Sequence, residues 1–134
     1  MRKEFLPPRQ ALEVKELGFD EECLGWYPDN AAALSLDGVY ISKPSIGSYK
    51  LLVYAPLYQQ VFRWFREKHN LYVVIIPTVT MYWTFKTMTV VEGIVEVPPY
   101  NHVDGNDYPT YKEAELESVK ELINIVKQIT TKKQ

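Results

Sequence analysis

From Leu57 the apolar residues return at three- and four-residue steps: Leu57, Tyr58, Val61, Phe62 and Phe65 fall on one side of a helix. Arg63, Arg66 and Glu67 fall largely opposite, and Asn70 follows as a residue that accepts a positive φ at a helix end. Trp64 extends the apolar stripe. A second helical pattern starts at Tyr111, where Leu116, Val119, Leu122, Ile123, Val126 and Ile129 share a face. Thr110 and Glu113 stand three apart at its head, the spacing of a capping box. Acidic residues fill its first half and lysines its second, in agreement with the helix dipole. A third, shorter helix is predicted near the start, with Pro7 and Pro8 in its first turn, Leu12, Val14 and Leu17 as contacts, and Gly18 as its stop.

The rest of the pattern is strand-like. LYVVIIP (71–77) is a short β-branched run of the kind found in a central strand. TMYWTFK (80–86) alternates Met81, Trp83 and Phe85 with Tyr82, Thr84 and Lys86, and TVVEGIVEV (89–97) carries Gly93 as a candidate bulge. Upstream, CLGWY (23–27) reads as a strand, while VYI (39–41) and LLVY (51–54) flank the loop SKPSIGSY as a predicted hairpin. These elements predict one α+β domain over residues 1–134. Its antiparallel sheet is covered on one face by the two longer helices, and a short N-terminal helix precedes it.

Composition narrows the class. The 134 residues are 46% hydrophobic and 24% charged, which excludes wholesale disorder and suits a single core. A formal charge of −2 supplies no global attraction to nucleic acid or anionic membrane. Cys23 is the only cysteine, so no internal disulfide forms and a reducing cytoplasm is the expected setting. The opening MRKEFLPPRQALEVKELGF lacks the continuous apolar core of a secretory signal, and no apolar run approaches bilayer length.

Candidate chemistry is sparse. In PYNHVDGNDYPTY (99–111), His102, Asp104 and Asp107 could serve as ligands of a hard cation, since an oxygen-rich loop bent at a glycine suits such ions. The spacing matches no EF-hand or zinc signature. The simpler reading is a turn at Asp104–Gly105 and a rigid entry through Pro109 into the capped helix, with no metal and no cofactor. Cys23 with His69 or His102 would be a nucleophile and base, yet the surrounding residues form no glycine-rich turn or protease signature. The aromatic content, 13% of the chain, points instead to contact surfaces. Tyr58, Arg63 and Arg66 are the expected partner-binding residues, because tyrosine and arginine dominate protein interfaces and also stack on bases.

From Ala55 onward the order helix, strand, strand, strand, helix resembles the double-stranded-RNA-binding domain in topology. That family opens its second helix with a lysine cluster that grips phosphates, whereas this chain reads TYKEAELESVKE there. The strings LPPRQALEVKELGFDEECLGWY, LYQQVFRWFREKHNLYV and YPTYKEAELESVKELINIVK resemble a group of small proteins of phages and mobile elements of gut Bacteroidetes. The likeness spans most of the chain, with residues 28–50 and 87–107 contributing little. It implies a bacterial cytoplasm as the workplace and attaches no catalytic residue or ligand. The expectation is a non-enzymatic accessory protein that binds a protein partner, its own copy included. A nucleic-acid-binding module is the alternative, and a small hydrolase the third reading.

Overall fold

A computed structural model of the chain describes residues 4–29, 39–41, 51–91, 94–96 and 107–132. In chain order the elements are α1 (Pro8–Glu16), β1 (Gly25–Pro28), β2 (Leu51–Ala55), α2 (Tyr58–His69), β3 (Leu71–Pro77), β4 (Trp83–Val91), β5 (Ile94–Glu96) and α3 (Tyr111–Lys132). The class is α+β, with a short N-terminal helix and a long last one. The strands divide between two antiparallel sheets, β1–β2 and β3–β4–β5. Contacts gather in two compact units, Met1–Val61 and Phe62–Gln134, whose boundary falls inside α2.

In the first unit, α1 starts on Pro7 and Pro8 and ends as its glycine predicts. Gly18 has φ of 110°. Its N–H donates to the Lys15 carbonyl, and the Phe19 N–H donates to the Val14 carbonyl, at 3.0 Å each. This is the paired closure of a Schellman motif, and Val14 and Phe19 are both buried beside it. All four residues of β1 are buried, so both of its edges need partners. Trp26 pairs with Tyr54 of β2 on one side and exchanges backbone hydrogen bonds of 2.9 and 2.8 Å with Tyr40 on the other. The predicted hairpin of VYI with LLVY is therefore corrected: the two segments flank β1 instead of pairing together. The Tyr27 hydroxyl donates to the Leu6 carbonyl at 2.7 Å, and the Leu6 N–H donates to the Pro56 carbonyl at 2.8 Å. Gly25 permits the close approach of this layer, since a Cβ there would stand 2.9 Å from Phe5 Cε1 and Val39 Cγ2.

In the second unit, β4 is the middle strand and β3 an edge among the described residues, which corrects the central placement of LYVVIIP. Pro77 fits this placement, because proline has no N–H to donate to a second ladder and is confined to strand edges and ends. β4 runs from Trp83 through Val91, and Val91 stands opposite Ile94 of β5, so the chain reverses within TVVEGIVEV. Gly93 lies outside the described residues. Asn70, with φ of 55°, joins α2 directly to β3. Helix α3 lies against β3 and β4, where Leu71, Phe85 and Thr87 are buried.

The entry to α3 is built largely as its sequence predicts. The Thr110 hydroxyl accepts the Glu113 N–H at 3.1 Å. Thr110→Ala should lower the unfolding free energy by about 0.5–2 kcal/mol, read from denaturant melts. Tyr108 straps this entry to the sheet by exchanging backbone hydrogen bonds of 2.8 and 2.7 Å with Trp83. Its ring stacks on Phe85 at 6.2 Å, and Tyr111 meets Trp83 edge-on at 5.2 Å. One acid in the first half of α3 is buried. Glu115 is 1% exposed, and its carboxylate accepts from Lys112 Nζ at 3.0 Å. No helix among the described residues is long and apolar enough to cross a membrane.

Candidate interaction surface

The residues expected to bind a partner do not share one exposed face. Tyr58 is 5% exposed, whereas Arg63 and Arg66 are exposed. Tyr58 precedes Phe62 and Phe65 by four and seven residues, so it belongs to the stripe that α2 buries, and the exposed trio is corrected on that ground. Trp64 is buried in the same helix, as its position beside the stripe predicts. His102 and Asp104 lie outside the described residues. Asp107 is exposed, and no group of three or more metal-binding side chains occurs among the described residues.

Of the residues considered as a nucleophile and base, Cys23 and His69 are described. The Cys23 thiol is half-buried and donates to the Glu21 carbonyl at 3.4 Å. Burial and the nearby Glu21 charge push its pKa up to about 11, against a smaller opposing contribution from Gln60. Gln60 is itself engaged, donating to the Glu22 carbonyl at 2.7 Å. At neutral pH the thiol stays protonated, the unreactive form.

His69 ends α2 with its ring edge-on to Trp64 at 4.9 Å, and borders an open cleft of about 670 Å³ that Val126, Ile129 and Thr130 also line. Burial lowers its pKa below the ordinary 6.5. The unfolded chain therefore takes up a proton at this residue before the folded one does. The stability this histidine supports is present above pH 6.5 and drains away as the pH falls through its folded pKa. His69→Gln should flatten that part of the profile, measured as unfolding free energy against pH beside the wild type.

The most distinctive exposed surface lies on the β3–β4 hairpin. Register sets Leu71, Val73 and Ile75 of β3 opposite Thr89, Thr87 and Phe85 of β4, so these side chains share the face that carries the buried residues. The intervening residues Tyr72, Val74 and Ile76, opposite Met88, Lys86 and Thr84, form the outer face. Val74 is 42% exposed and Ile76 37%, and Tyr82 is exposed beyond them. The turn that follows presents Val79 and Met81 almost wholly to solvent. Thr78 holds it in shape. Its N–H donates to the Tyr82 carbonyl at 2.7 Å, and its hydroxyl accepts the N–H groups of Thr80 and Tyr82 at 3.4 and 3.2 Å. Met81 sits at φ of 70°, a left-handed conformation that a methionine adopts only when its surroundings impose it. The result is a fixed, mainly apolar surface of β-branched and aromatic side chains with Lys86 within it. No protein-family model, curated protein or solved structure matches the chain.

Proposed function

We propose that the protein is a non-enzymatic accessory binding protein that works in the cytoplasm through protein–protein contacts, with the outer face of β3–β4 as its docking surface. The observation that carries this reading is the set of exposed apolar side chains, Val74, Ile76, Val79, Met81 and Tyr82, on one hairpin and its turn held by hydrogen bonds. Apolar side chains that cluster on one exposed face mark interaction sites, whereas scattered ones need no explanation. The chemistry that fits is an apolar protein surface with a polar rim, since Lys86 is the one charged side chain on the described outer positions. The protonated Cys23 thiol supports the non-enzymatic half of the reading. A bacterial host is the proposed source of the partner, on the resemblance of LPPRQALEVKELGFDEECLGWY, LYQQVFRWFREKHNLYV and YPTYKEAELESVKELINIVK to proteins of phages and mobile elements.

Nucleic-acid binding is the second reading, favoured by one feature. From α2 onward the order is a helix, a three-stranded antiparallel sheet and a helix. The head of α3 weighs against it, where Glu113, Glu115 and Glu117 stand among the positions that would have to grip phosphates. Affinity capture from bacterial lysate, run with and without nuclease, tests the choice. The proposed function expects capture that nuclease leaves intact and that survives raised salt. Capture abolished by nuclease and weakened steeply by salt would transfer the case to the nucleic-acid reading.

A further inference from the structure

The edge of β3 away from β4 has a chemistry distinct from that of its outer face. Among the described residues only β4 pairs with this strand. The Thr78 N–H donates to the Tyr82 carbonyl, so that opposed pair is a hydrogen-bonded one. Pairs alternate in type along an antiparallel ladder. With the observed register, Tyr72, Val74 and Ile76 therefore bond to β4, while Leu71, Val73 and Ile75 turn their N–H and C=O groups away from it. The far side of β4 confirms the phase. Trp83, opposite Pro77, uses both backbone groups on Tyr108 and not on β3. Pro77 falls in the same outward set, where its missing N–H leaves the β4 ladder intact.

Proteins blunt free edges with charges, bulges or covering segments. From Leu71 to Pro77 there is no charged residue, and the register with β4 is unbroken over all seven positions. Such an edge suits another extended, uncharged backbone.

We propose that the β3 edge pairs antiparallel with β3 of a second copy of this chain, across a two-fold axis at Val73, to give one six-stranded sheet. The register follows from the donors. Centred on Val73, Leu71 meets Ile75 of the second copy, Val73 meets its own equivalent, and every outward residue in the pairing has an N–H. Centred on Val74, Pro77 would face Leu71 and leave a carbonyl without its donor. The Val73 register also sets Tyr72 opposite Val74 of the second copy on the outer face, an aromatic–β-branched pair of the stabilising kind. No like charges oppose one another along the strand. The pairing rests on the hairpin as an interface, and it doubles the apolar face on which another protein would dock.

A charge-swap experiment on the full chain tests it. Val74 is exposed, so Lys or Glu there leaves the fold in place but sets like charges diagonally across the two-fold. By sedimentation velocity the wild type should be a dimer that dissociates on dilution. Val74→Lys and Val74→Glu should each weaken it by about tenfold or more, a loss of roughly 1.4 kcal/mol. An equimolar mixture of the two variants should restore the dimer. The amides of Val73 and Ile75 should exchange slowly with deuterium in the dimer and rapidly in the variants. A wild type that stays monomeric would overturn the pairing, as would a dimer whose Val73 and Ile75 amides exchange freely. A monomer that still captures a protein from lysate would overturn edge pairing alone, leaving the docking face standing.

Discussion

Replacing Phe65 with alanine is expected to lower the unfolding free energy by roughly 3–5 kcal/mol, the usual cost of truncating a buried aromatic ring. Phe65 is 0% exposed, and its ring meets Trp64 at 5.0 Å and His69 at 6.0 Å. Those neighbours lie on the same helix, whose backbone cannot collapse into the void without giving up its own hydrogen bonds. Phe62 is buried too and should follow with a similar loss. Arg66→Ala on the exposed side of α2 is the control, expected within about half a kcal/mol of the wild type. Chemical denaturation of the three variants gives the ranking. A Phe65→Ala protein as stable as Arg66→Ala would show that α2 buries the other face.

The second large effect belongs to Tyr27. Tyr27→Ala should also cost roughly 3–5 kcal/mol, because a fully buried ring disappears from the middle of the first unit. Tyr27→Phe isolates the hydroxyl. It keeps the ring but leaves the Leu6 carbonyl without the donor it now has at 2.7 Å, a loss of about 1–3 kcal/mol. Burial pushes the phenol pKa up to about 12, consistent with a hydroxyl that stays a neutral donor. If Tyr27→Phe melts like the wild type while Tyr27→Ala does not, the ring alone holds the layer together and the hydrogen bond to Leu6 is incidental.

The helices were legible because their information is local. The three- and four-residue steps of α2, Gly18 as the stop of α1 and Thr110 as the cap of α3 each act within a turn or two of chain. Sheet partners depend on distant residues, and there the sequence misled. VYI and LLVY look like two arms of a hairpin, but the four buried residues of β1 take them one on each edge. In LYVVIIP every position is apolar, so no alternation marks which face meets α3 and which meets water. Pro77 did carry the missing signal, since a proline within a strand argues for an edge. Tyr58 shows the converse limit: its residue type suggests an interface, while its place in the helical stripe commits it to the core. Glu115 could not have been picked out from its acidic neighbours, because its burial is set by the packing of the whole face of α3.

The central claim is that the outer face of β3–β4 is a protein-docking surface, and one comparison tests it most directly. The double variant Val74→Ser/Ile76→Ser removes apolar side chains that are already exposed, so its melting midpoint should stay close to that of the wild type. Wild type and double variant, each matched for folding by circular dichroism, would be used side by side to capture protein from nuclease-treated bacterial lysate. The account predicts that the wild type retains a discrete protein and that the double variant loses it. Equal retention of that protein by both would contradict the claim.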